Sequence, residues 1–129
     1  MDILDQMTKE ELVVWLRENL FYKRPKEYEI LHIRWKIRSD RYFKAEAALS
    51  EWFKGIDLKK RDELARQFNE TTDIETCLDL LNQMRPYDDA VQKYFKENDR
   101  LSKEWEAIEK LRDRYQKAFQ KSSERQRGI

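Results

Sequence analysis

Glycine, proline, cysteine and histidine are nearly missing from this chain of 129 residues, which has two Gly, two Pro, one Cys and one His. Gly55 and Gly128 stand far apart, so no Walker or dinucleotide loop can be assembled; those loops need clustered glycines where backbone amides approach a phosphate. A single cysteine, Cys77, closes no intramolecular disulfide, and there is no C-x-x-C pair to begin a zinc site. One histidine removes the usual nucleophile and base arrangements. His32 does follow Glu29 at the spacing used by carboxylate-bridged di-iron bundles, but those sites need two such motifs and two further glutamates. No catalytic, metal-binding or cofactor-binding residue is assigned, and a non-enzymatic protein is expected. There is no basic-then-apolar amino-terminal signal and no apolar run of about 18 residues. The expectation is a cytoplasmic protein with no membrane contact.

Charge and aromatic rings are what the chain has in quantity. Charged residues make up 41% of it, and the mean hydropathy is −1.03. Such polarity favours disorder when net charge is high and aromatics are few. Here the net charge is +1, and there are four Trp, six Tyr and six Phe, which points to a folded domain with heavily charged helix surfaces. The near-neutral total hides alternation: residues 1–22 carry 2 basic and 5 acidic side chains, 23–44 carry 8 and 3, 45–84 carry 5 and 9, and 85–129 carry 12 and 9. Segments of opposite sign can pair within one fold or steer selective docking to a partner.

Apolar residues recur at helical steps of three and four, and no alternating strand pattern competes with them. Thr8 opens a T-K-E-E capping box with Glu11, with Met7 and Leu12 placed as a hydrophobic staple. It predicts a first helix from Lys9 to about Leu20 that buries Leu12, Val13, Leu16 and Leu20. Residues Phe21 to Arg24 form a connector, because the residue before Pro25 is pushed out of helical geometry. A long helix from Pro25 to about Lys54 carries the stripe Tyr28, Leu31, Trp35, Arg38, Tyr42, Ala45, Leu49, Trp52 and Ile56. Gly55, in the left-handed conformation, is expected to end it, with Ile56 folding back. Asp57 caps a shorter helix burying Leu58, Leu64, Ala65 and Phe68. Thr72 and Glu75 form a second capping box, before a helix that buries Ile74, Cys77, Leu78, Leu81 and Met84 and stops ahead of Pro86. The last helix, about 86–120, repeats the stripe through Tyr87, Val91, Tyr94, Asn98, Leu101, Trp105, Ile108, Arg112, Tyr115 and Phe119. The reading is an all-α bundle of about five helices dominated by two long amphipathic ones, with one domain over 1–121 and a frayed basic tail over 122–129.

Three groups of residues compete for a functional role. Ile30, Ile33 and Ile37 form an apolar row apart from the Trp35 and Tyr42 stripe. Either the first helix covers this row, or it docks a partner protein, with Trp35 and Tyr42 beside it. Arg34, Arg38 and Arg41 lie between the two rows, where charge is costly unless paired. Carboxylates such as Glu10, Glu11, Glu18, Asp62 or Glu63 are expected to meet them; otherwise they form a phosphate or acidic-partner site together with Lys23, Arg24, Lys26 and Lys36. Asn98 interrupts an apolar stripe and is a candidate for fixing register or a homodimer. His32 shares a helix face with Lys36 and Ser39 and reads as solvated. Lys117, Lys121, Arg125 and Arg127 make a basic end, a signal that helix-dipole preference also explains.

The leading expectation is a small helical protein that binds a larger protein and modulates its activity or assembly as an inhibitor or adaptor. Size and composition are those of accessory proteins of bacteriophages and other mobile elements, an analogy without shared motifs. The alternative is a nucleic-acid-binding protein using the basic face of the second helix.

Overall fold

A computed structural model describes residues 3–19 and 24–126. The order is a short 3-10 helix, Ile3–Gln6, then α1 (Lys9–Glu18), α2 (Glu27–Lys54), α3 (Leu58–Glu70) and α4 (Ile74–Gln126). The protein is all-α, dominated by α2 and α4, and has four α-helices rather than about five because the last two expected helices are one. Its contacts gather in two compact units within the span read as one domain, residues 1–43 with 103–129, and residues 44–102. Both units draw on α2 and α4.

The first unit starts from the Thr8 cap. The Thr8 amide donates to Glu11 Oε1 at 2.8 Å, and the Glu11 amide donates to Thr8 Oγ1 at 3.1 Å. The face of α1 that turns inward differs from the expected one. Glu11 and Trp15 are buried, one helical turn apart, while Val13 is 37% and Leu16 46% exposed. A tryptophan supplies more apolar area than either aliphatic residue, and Glu11 follows it inward because α2 offers a cation. Leu20 lies outside the described residues. Core positions of this unit are Trp15, Ile30, Leu31, Ile33, Ile108 and Leu111. Aromatic pairs join α2 to α4: Tyr28 with Phe119, His32 with Tyr115, and Tyr42 with Trp105, at centroid separations of 5.3, 4.9 and 5.0 Å. Positions rising on α2 meet positions falling on α4, the register of an antiparallel pair.

In the second unit Leu64, Leu80 and Met84 form a cluster, with Ala65, Phe68 and Tyr87 packed on it. Phe53 stacks on Tyr94 at 4.2 Å. α2 ends without the expected left-handed glycine. Instead the Gly55 and Ile56 amides donate three residues back, to Trp52 and Phe53 carbonyls at 3.1 and 3.0 Å, tightening the last turn. A Cβ on Gly55 would stand 3.3 Å from the Trp52 carbonyl oxygen, so close approach is what favours glycine here. Asp57 caps α3 as expected, accepting from the Lys60 amide at 3.0 Å.

Pro86 lies inside α4 and does not end it. Its ring removes the amide that would bond the Asn82 carbonyl, at a typical cost of about 3 kcal/mol. Asn82 is exposed, so water can serve that carbonyl. Leu80 and Met84 before the proline and Tyr87 after it pack on one cluster, which holds both sides in one helix. The cap of α4 is also shifted by one residue from Thr72. Asp73 accepts from the Thr76 hydroxyl at 2.6 Å and the Thr76 amide at 3.1 Å, since a carboxylate accepts more strongly than a hydroxyl. α4 runs on to Gln126, past the expected end near 120, so Ser122–Gln126 are helical rather than frayed; residues 127–129 lie outside the described residues.

Pro86→Ala restores the missing bond and gives back some unfolded-chain freedom. Stability should rise by about 2 kcal/mol, read as a higher urea midpoint at unchanged slope. A chain that broke at Pro86 would show no gain. The Thr76 hydroxyl, then its amide, hold the Asp73 carboxyl below its ordinary value of 3.8. A depressed folded value stabilises above the unfolded value, and that contribution is lost as pH falls through the folded one. Asp73→Ala should therefore lower the melting temperature at pH 7, and the gap to the parent should close as pH falls below 3.8.

Candidate partner-binding surfaces

Three arginines project from successive turns of α2, and each meets a carboxylate. Arg34 Nε donates to Glu11 Oε2 at 2.6 Å, and its Nη2 donates to the Gln6 carbonyl. Arg38 donates to Glu104 Oε1 through Nε at 3.1 Å and Nη2 at 2.8 Å. Arg41 pairs with Glu10. Lys36 pairs with Glu18 at 3.0 Å. Glu10 and Glu11 are partners foreseen from charge neutralisation, whereas Glu104 comes from α4, and Asp62 and Glu63 take no part in these pairs. The Arg34 pair differs from the others in burial, with the Glu11 side chain only 4% exposed. The basic face of α2 is thus internally paired at Arg34, Lys36, Arg38 and Arg41. Arg24 is exposed, and Lys23 lies outside the described residues.

The isoleucine row is core. Ile30 and Ile33 are 3% and 2% exposed and Ile37 is half-buried, so in this fold the first two are closed to a partner. Trp35 and Tyr42 are half-buried too, Trp35 against His32 and Tyr42 against Trp105. His32 is not solvated as expected. It lies between the Trp35 and Tyr115 rings and lines a cavity of about 180 Å³ with Trp15, Glu18, Glu29 and Ile33. Ser39, read on the same solvated face, is buried. Among the described residues no group of three or more His, Cys, Asp or Glu is placed to hold a metal ion, and no helix is long and apolar enough to cross a membrane. Asn98 is exposed, its carbonyl accepting from the Ser102 hydroxyl at 3.1 Å; Arg112 is exposed, and Leu111 takes the buried position beside it.

An apolar face open to solvent occurs where a buried one was expected. Ile74, Leu78 and Leu81, at steps of four and three on the first turns of α4, are 75%, 57% and 46% exposed. Cys77 is half-buried, its Sγ 3.9 Å from the Thr71 carbonyl. The helix instead turns Leu80 and Met84 toward Leu64. The charged side chains beside the open row are acidic until Arg85, one turn past Leu81. Between Arg66 and Arg85 the sequence contains Glu70, Asp73, Glu75 and Asp79 and no lysine or arginine. Asp79 accepts from Gln83 at 2.8 Å, and no cation is paired with Glu75 among the described residues. A sequence reading sees the periodicity of this row but not whether a neighbour covers it; the missing basic residues were the available signal.

No protein-family model matches the chain, and no curated protein or solved structure is significantly similar to it.

Removing Arg34 leaves the buried Glu11 carboxylate unpaired, whereas removing Arg41 frees an exposed partner. Arg34→Ala should cost about 2–3 kcal/mol, given that Arg34 itself is partly solvated, and Arg41→Ala no more than about 0.5 kcal/mol. Paired urea titrations of the two variants check the ordering.

Proposed function

We propose that this is a non-enzymatic binding protein that docks the Ile74, Leu78 and Leu81 row of α4 onto a larger protein, altering that protein's activity or assembly as an inhibitor or adaptor. The carrying observation is an exposed apolar row at helical spacing, flanked by the acidic side chains Glu75 and Asp79, with Arg85 one turn past its end. Rows at i, i+4 and i+7 are how a helix engages an apolar groove. The acidic border selects the occupant: a groove rimmed by lysine and arginine. A second copy of the chain fits less well, since a two-fold pairing of this row would set Glu75 and Asp79 near their own copies. Covering the exposed parts of three such side chains contributes roughly 3–5 kcal/mol, no more than the cost of association. The complementary rim and the surrounding interface then supply the surplus.

Leu78→Asp with Leu81→Asp places charge in the row at positions that contribute little to the fold. The double variant should keep its helical circular dichroism and melting temperature. In nuclease-treated lysate the parent should retain a stoichiometric protein that rebinds when purified, more weakly at high salt, and that the double variant releases. Equal retention by the variant overturns the reading, as does light scattering that shows a parental dimer and a variant monomer, because the row would then be a self-interface.

A further inference from the structure

The first unit holds a cleft of about 640 Å³ between the start of α2 and the end of α4, whose charge is opposite to that around the open row. Lys26, Arg114, Lys117, Lys121 and Arg125 line it, with Glu27 the only carboxylate in its wall among the described residues. All five cationic side chains are exposed, and none forms an ion pair among the described residues. The contrast with Arg34, Lys36, Arg38 and Arg41, each holding a carboxylate, is chemical: these five charges are not used by the fold.

Helix-dipole preference accounts for part of the cluster and fails for the rest. Cations stabilise a helix within its last turn. Arg125 lies there, but Arg114 and Lys117 stand more than two turns before Gln126. The four α4 cations recur at steps of three, four and four, so they share one face and extend over about 16 Å, with neighbours about 5–6 Å apart. A single phosphate would engage one or two of them; a chain of regularly spaced anions engages them all. Tyr28 also lines the cleft, its ring edge-to-face with Phe119 at 5.3 Å, and Phe119 is 49% exposed. An aromatic ring beside a cationic track suits nucleobases, which stack on aromatic faces whatever their sequence, while guanidinium groups take phosphate oxygens in pairs. An acidic peptide would use the charges and leave the Tyr28 ring without a role, and the paired, stacked bases of a duplex would not be free to stack on it.

From this juxtaposition we infer that the cleft formed by Lys26, Tyr28, Arg114, Lys117, Lys121 and Arg125 binds the backbone of a single-stranded nucleic acid with little sequence preference. The site is separate from the docking row and from the α2 arginines, and it does not depend on the proposed protein partner.

The test is fluorescence anisotropy of a fluorescein-labelled 20-nucleotide oligo(dT) titrated with the full chain. Neutralising about four phosphates gives a slope near −3 for log affinity against log salt, which is a loss of roughly 50-fold between 50 and 200 mM salt. Lys117→Glu with Lys121→Glu should weaken binding at least 20-fold at unchanged circular dichroism. The milder Lys117→Gln with Lys121→Gln should fall between that variant and the parent, and it serves if the charge reversal unfolds the chain. Lys59→Glu with Lys60→Glu, the same charge change on α3, should bind like the parent, as should Leu78→Asp with Leu81→Asp. The inference is overturned by absent or salt-insensitive binding at 50 mM salt, or by equal losses in the α3 variant. It is also overturned if poly-glutamate or an oligo(dT) duplex with oligo(dA) competes as well as unlabelled oligo(dT), which would make the cleft an acidic-peptide or duplex site.

Discussion

One carboxylate ties together much of the first unit. Glu11 Oε1 accepts from the Thr8 amide to close the cap of α1, and Oε2 accepts from Arg34 on α2. The same guanidinium reaches back to the Gln6 carbonyl in the turn before the cap. A buried carboxylate is costly unless its oxygens are satisfied, so the start of α1, the 3-10 turn and the first half of α2 must arrive together. That requirement orients α1. With Glu11 turned toward Arg34, Trp15 one turn on faces the same side, and Ile30 and Ile33 are buried in the same unit. The aliphatic residues Val13 and Leu16 are left toward water, which hydrophobicity alone would not have chosen.

Once the paired charges are set aside, what remains is distributed unevenly. The cations of α2 meet Glu10, Glu11, Glu18 and Glu104, and Arg61 on α3 meets Asp88 at 3.0 Å. Apart from the buried Arg34–Glu11 pair, these are exposed and contribute little stability individually, but they neutralise surfaces that would otherwise attract ligands. Among the charges left over, two groups of one sign stand out, acidic beside an apolar row on the first turns of α4 and basic along its last turns. A chain of net charge +1 therefore presents two surfaces of opposite sign, each with its own uncharged complement, aliphatic in one case and aromatic in the other. Binding functions separate along the same line, since apolar anchoring persists in salt and phosphate contacts do not.

Local signals were legible in the sequence where one residue type decides the outcome. Thr8 and Glu11 form a reciprocal pair that few other spacings can make, and Asp57 begins α3 for the same kind of reason. Charge neutrality also carried information across distance: Arg34 and Arg41 find carboxylates among those foreseen, Arg34 because the buried Glu11 carboxylate needs a cation, Arg41 at an exposed site where the pair is worth little. Periodicity carried less. It identifies an apolar face on α4 but cannot say which of two offset rows, Ile74, Leu78 and Leu81 or Leu80 and Met84, meets Leu64. That choice depends on the path of α3, which is a tertiary matter. The basic cleft was visible in two separate pieces, the basic end of Lys117, Lys121, Arg125 and Arg127, the last outside the described residues, and Lys26, read with the α2 arginines; the antiparallel register of α2 and α4 brings Lys26 to this end and adds Arg114.

Pro86 shows how far packing overrides local preference in this fold. A proline in mid-helix gives up one backbone bond and is disfavoured by about 3 kcal/mol, a large fraction of the stability of an ordinary domain. The helix persists because Leu80 and Met84 on one side and Tyr87 on the other bury area against α3, and breaking the rod would forfeit one or the other. Burial of a single aliphatic side chain contributes about 1.5–3 kcal/mol, so two or three of them outweigh the proline. The turns carrying Ile74 and Leu78 lie beyond that anchor, with their apolar side chains in water and the Asp73 cap at their free end. They are held by one cap and a few residues of packing, so this is the part of α4 whose helix would gain most from a partner that covers it.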